Sequence, residues 1–129
     1  MTMTTVKLRV YAYASNLSEV LDVPAHIVGD IAIHRPASYA GGREPLRLSD
    51  IGWSVSHIPS GAPIDNARPR NLRHPGNLRS LKQWAARWQE LAPEAFATLR
   101  ASNSAIKADP ALGRTLLDAS AQADPTVTP

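Results

Sequence analysis

The hydrophobic pattern of this 129-residue chain changes period once, and the change limits what it can fold into. In "TTVKLRVYAYA" (4–14), Val6, Leu8, Val10, Ala12 and Ala14 alternate with Lys7, Arg9, Tyr11 and Tyr13. Successive side chains of an extended backbone leave opposite faces, so this pattern predicts a half-buried strand. In "NLRSLKQWAARWQEL" (77–91) the apolar residues Leu78, Leu81, Trp84, Ala85, Trp88 and Leu91 recur at helical spacing. Arg79, Lys82, Gln83, Arg87 and Glu90 fall on the opposite side, and Asn77 is placed to cap the helix. Trp84 and Trp88, in the middle of the apolar arc, are expected in the core. Strands first and helices afterwards is the order of an α+β fold.

Between these segments the reading is coarser. "SNLSEVLDVP" reads as one helical turn, capped by Asn16 with Glu19 and stopped by Pro24. "AHIVGDIAIHRP" (25–36) predicts a second strand near 26–35, with Ile27, Gly29, Ile31 and Ile33 on one face. His26, Val28, Asp30, Ala32 and His34 share the other face, and Gly29 marks a bulge or a close backbone approach. A third strand is expected near 52–58, with Trp53, Val55 and His57 facing one way and Ser54, Ser56 and Ile58 the other. Residues 37–50 read as a long, mobile hairpin excursion, and 62–76 as an irregular connector. Pro93 and the Asp109-Pro110 pair open two further helices, near 93–102 and 110–121. The expectation is one α+β domain over 1–121 with a flexible tail at 122–129. Its small three-stranded antiparallel sheet would be packed by one long amphipathic helix and one or two shorter C-terminal helices.

Several chemistries are set aside by what the chain lacks. With no cysteine there is no disulfide, thiolate nucleophile or Cys-bound zinc. No apolar run reaches the length of a membrane span, and "MTMTTVKLRV" has no signal-type apolar block. A soluble, cytoplasmic protein is expected. His26, His34, His57 and His74 show no metal-ligand spacing, and in an unbroken strand His26 and His34 would lie about 26 Å apart. "YAGGREP" lacks the Lys-Ser/Thr and helix start of a phosphate-binding loop. No metal and no cofactor are expected.

"GWSVSHIPSG" (52–61) sets a serine beside a histidine, but Ser56 and His57 leave a strand on opposite faces. His57 reads as a core-edge residue that can tie down the following turn. No catalytic residue is assigned; an enzyme would have to draw on His34, Asp30 and the serines of the outer face. The charge pattern is more informative. Between Asp65 and Glu90 there is no acid, while Arg68, Arg70, Arg73, Arg79, Lys82 and Arg87 all lie there. Such asymmetry points to an anionic partner. Lys7, Arg9, Tyr11 and Tyr13 on the first strand, with Arg43 and Arg47 in the long loop, would add secondary contacts of the kind single-stranded nucleic acid uses. An acidic protein surface fits the same charge, and an open sheet edge could pair two copies into a homodimer.

"GDIAIHR" (29–35) with "GWSVSHIPSGAPI" (52–64), followed by an amphipathic helix, resembles a loose group of small bacterial proteins often carried by phages or plasmids. The resemblance covers about a third of the chain. It implies an accessory protein of a mobile element, acting in the host cytoplasm. Such a protein would act on a nucleic-acid-handling host complex, for example as a host-defence inhibitor of the anti-CRISPR kind. The expected function is therefore a non-enzymatic binding protein, with direct nucleic-acid binding or an oligomerising module as alternatives.

Overall fold

The computed structural model describes residues 3–11, 17–39, 46–72, 77–101 and 109–126. Its main sheet has four antiparallel strands in the order β1 (Thr4–Tyr11), β2 (Ser18–Val28), β3 (Ile31–His34) and β6 (Ser54–His57). A two-stranded ribbon, β4 (Ala37–Ser38) with β5 (Arg47–Leu48), forms the stem of the long excursion. Three helices follow among the described residues: α1 (Leu78–Leu91), α2 (Pro93–Ala101) and α3 (Pro110–Gln122). The class is α+β, but the sheet has four strands where three are expected.

The extra strand comes from two local corrections. Residues 18–28 are extended, because Leu21 and Val23 lie opposite Leu8 and Val6 of β1 and so extend its apolar face. Burying that face outweighs a single capped helical turn, which gains little alone. The expected strand at 26–35 is instead a hairpin that reverses at Gly29–Asp30, with Gly29 at φ 59°. A glycine followed by Asp, set between apolar runs, suits a two-residue hairpin turn. The reversal moves Ile27 opposite Ala32 and leaves Val28 beside Ile31 on the helix-facing side.

Gln89 of α1 clamps this turn. Its Oε1 accepts from the Asp30 N–H at 2.8 Å, and its Nε2 donates to the carbonyls of Val28 (2.7 Å) and Ala85 (3.0 Å). The clamp fixes where α1 crosses the sheet. Ile31, Ile33 and Val55 meet Leu81, Trp84, Ala85 and Trp88 there, with Phe96 and Leu99 of α2 and Leu116 and Ala119 of α3 closing the core. Trp84 and Trp88 stack at 4.9 Å, and Phe96 meets Trp88 edge-on at 5.0 Å. Both indole N–H groups are satisfied by α3: Trp84 donates to Ser120 at 3.2 Å and Trp88 to the Leu116 carbonyl at 2.8 Å. With 14, 9 and 13 residues, the helices do not form the expected set of one long and two short. Ala123 and Asp124 are buried, so packing continues past residue 121, where the flexible tail was expected to begin.

The other side of the sheet is enclosed by its own curl. The Arg9 N–H donates to the Gly61 carbonyl at 2.7 Å, which brings the β1 edge to the turn after β6. Gly61 has φ 70°, a conformation that side chains disfavour. Leu8, Val10, Val23, Ala25, Ala32 and Tyr39 fill the interior of the curl.

Candidate functional site

Of the basic segment 68–87, the described residues divide into one structural arginine and several exposed cations. Arg68 is 6% exposed, and it donates to the carbonyls of Trp53 (2.6 Å) and Leu72 (2.5 Å) and to Asp65 Oδ1 (2.9 Å). It ties the connector 62–72 to β6 and is not part of the expected contact surface. Buried carbonyls need donors, and a guanidinium can satisfy several from one position. Asp65 also accepts from the Val55 N–H at 3.0 Å, so the arginine and its acid act together on the sheet edge.

Arg70 is exposed on a short 3-10 turn, while Arg79 and Arg87 are exposed on the outer side of α1. Asn77 starts that helix as expected, its Oδ1 accepting from the N–H groups of Arg79 (2.9 Å) and Ser80 (3.2 Å). Arg79 and Arg87 stand about 12 Å apart along the axis. The ion pairs Lys7–Asp22 and Arg68–Asp65 leave Arg70, Arg79 and Arg87 without a carboxylate partner among the described residues. Lys82 is half-buried on the flank of the helix. Of the secondary residues, Lys7, Arg9 and Tyr11 are exposed on the outer face of β1, and Arg47 is exposed on β5. Lys7 pairs with Asp22 at 3.1 Å, and Arg9 donates to Ser18 Oγ at 2.9 Å. Arg73, Tyr13 and Arg43 lie outside the described residues.

A second cationic group, which the charge run does not include, sits where the hairpin meets α1. The Arg35 guanidinium lies 3.9 Å above the Trp53 ring and donates to the Gly52 carbonyl at 2.9 Å. His26 meets the same indole edge-on at 5.6 Å. Burial, followed by the charges of Lys82 and Arg35, lowers the His26 imidazole below its ordinary 6.5. A strand reversal at Gly29–Asp30, read from the Gly-Asp pair, would have brought His26 and Arg35 together from sequence.

The serines are not on a solvent face. Ser56 is 3% exposed, and its Oγ lies 2.9 Å from Nε2 of His34, which is itself 6% exposed. Nδ1 of His34 lies 2.8 Å from the Arg35 carbonyl, which can only accept, so Nδ1 carries the proton and Ser56 donates to Nε2. Burial lowers the His34 pKa below 6.5 despite the opposing effects of that carbonyl and of Asp65. The serine's partner is thus the histidine across the strands, with Ala32 opposite Ser56 in the register. His57 binds Ser60 Oγ at 2.9 Å through Nδ1 and so holds the turn. Asp30 is at the opposite end of β3 from His34, and the two are not brought together. Both side chains are almost wholly buried, and the pair reads as a cross-strand hydrogen bond.

Among the described residues, no three His, Asp or Glu side chains gather as a metal site requires, and no helix is long and apolar enough to cross a membrane. No protein family, curated protein or solved structure matches this chain.

Proposed function

We propose that this chain is a non-enzymatic binding protein that covers the phosphates of a nucleic acid, either bare or held in a host complex. The observation that carries the reading is the exposure of Arg70, Arg79 and Arg87 without a carboxylate partner among the described residues. Cations of this kind gain free energy at a polyanion by releasing its condensed counterions, with no specific base contact needed. A small accessory protein of a mobile element with such a surface would act by steric and electrostatic blocking, as an anti-CRISPR inhibitor would.

Fluorescence anisotropy with labelled oligonucleotide, alongside labelled polyglutamate, tests this. At low salt the oligonucleotide binds more tightly, and changing Arg70, Arg79 and Arg87 together to Gln abolishes most of that binding. Binding of polyglutamate without the oligonucleotide would replace this reading with an acidic protein partner. Binding of neither would end it.

A further inference from the structure

Resting on the phosphate-binding reading, we infer that His26 and Arg35, both held against Trp53, form with Lys82 of α1 a subsite for one phosphodiester group of the bound strand. Three elements converge there for separate reasons. The hairpin reversal at Gly29–Asp30 returns the chain so that His26 of β2 and Arg35, just beyond β3, both reach the Trp53 indole. Gln89 fixes α1 against Val28, and Lys82 lies two turns earlier on the same side of that helix. His26 lies two positions before Val28 on the same side of β2, and Lys82 is near enough for its charge to act on the imidazole.

The chemistry of the group suits a phosphate. The stack on Trp53 and the bond to Gly52 hold the Arg35 guanidinium in place, and a guanidinium has five N–H donors, of which that bond uses one. The ordering cost of the arginine is thus already met by the fold, as preorganised recognition requires. Like charges gathered around a partly buried imidazole repel each other. Burial is the main cause of the lowered His26 pKa, and the positive charges of Lys82 and Arg35 add to it in the same direction. An anion among them relieves the repulsion and turns His26 into a third donor. Lys82 also places the subsite next to Arg79, so it continues the exposed edge of α1 rather than forming an isolated patch.

The test is an NMR titration of the His26 imidazole in the full chain, with and without a single-stranded oligonucleotide, with inorganic phosphate as a second probe. The oligonucleotide is expected to raise the His26 midpoint by about one unit, the effect of an opposite charge within contact range. Inorganic phosphate at the same phosphate concentration should raise it less, because it lacks the neighbouring contacts on α1. Changing Arg35 and Lys82 to Gln should weaken oligonucleotide binding about tenfold. If the oligonucleotide binds and Arg79→Gln with Arg87→Gln weakens it, but His26 does not move, the subsite is wrong and the wider reading stands. If inorganic phosphate moves His26 as far as the oligonucleotide does, the site is one for free phosphate and the inference fails. If the oligonucleotide does not bind at all, both fall. The wild-type titration decides the matter even if the Arg35 and Lys82 variants fold poorly.

Discussion

Arg68 and Arg79 are both arginines of the basic segment, and burial gives them opposite roles. Arg68 satisfies the carbonyls of Trp53 and Leu72 from inside the fold. Removing it takes this donor from the two carbonyls and the ion pair from Asp65, which keeps the Val55 N–H. Arg68→Ala should therefore cost on the order of 3–5 kcal/mol, read as a large drop in the urea midpoint. Arg79→Gln should leave that midpoint unchanged. Equal stability of the two variants would contradict the division. His34 makes a prediction with a definite sign. Its folded-state pKa lies below the ordinary 6.5, so the unfolded chain binds the proton more readily. Its contribution is fully present above about pH 6.5 and is lost as pH falls from there through the lowered folded value. The urea midpoint should drop between neutral and mildly acid pH, and His34→Gln should flatten the drop; His26, lowered in the same direction, keeps its part. Ser56→Ala should cost about 1–3 kcal/mol, since it leaves Nε2 buried without its donor, and should leave oligonucleotide binding intact.

At the level of elements, α1 is set by contacts at both ends of the core. Gln89 fixes it to the β2–β3 turn, while Trp84 and Trp88 fix it to α3. This makes α3 a core element rather than an appendage: a chain ending before Asp109 would expose the tryptophan face and leave two buried indole donors without acceptors. Such a chain should lose its cooperative thermal transition by circular dichroism, and a sharp transition like that of the full chain would refute the assignment. The first strand and α1 were legible in the sequence because each carries a single unbroken period. Leu8 and Val10 are buried against exposed Lys7 and Arg9, and Trp84 and Trp88 against exposed Arg79 and Arg87. The second strand was not legible. Asn16, Glu19 and Pro24 form a good local helix signal, and only the apolar face of β1, distant in sequence, overrides it. Gly29 reads as a bulge or a close backbone approach because the strand pattern resumes beyond Asp30. The apolar residues 27–28 and 31–33 on either side of the turn look in sequence like one longer strand.

Across the whole molecule, the fold and the surface are carried by separate residues. The curled sheet and three helices use Arg68, His57 and the His34–Ser56 pair to satisfy polar groups, so these residues serve the scaffold. Arg79 and Arg87 are the exposed cations of α1, and the proposed subsite extends them through the half-buried Lys82 to His26 and Arg35. Charge counting in the sequence found the first part of that line. It missed the second, because His26 and Arg35 become neighbours only through the hairpin reversal. It also included Arg68, since exposure cannot be read from composition. The central claim is that the outer side of α1 binds phosphates, and the salt dependence of binding tests it most directly. For single-stranded nucleic acid each neutralised phosphate contributes about 0.7 to the slope of log affinity against log salt. Changing Arg79 and Arg87 to Gln together should lower the magnitude of that slope by about 1.4, with the fold intact by circular dichroism. An unchanged slope in the double variant would contradict the account.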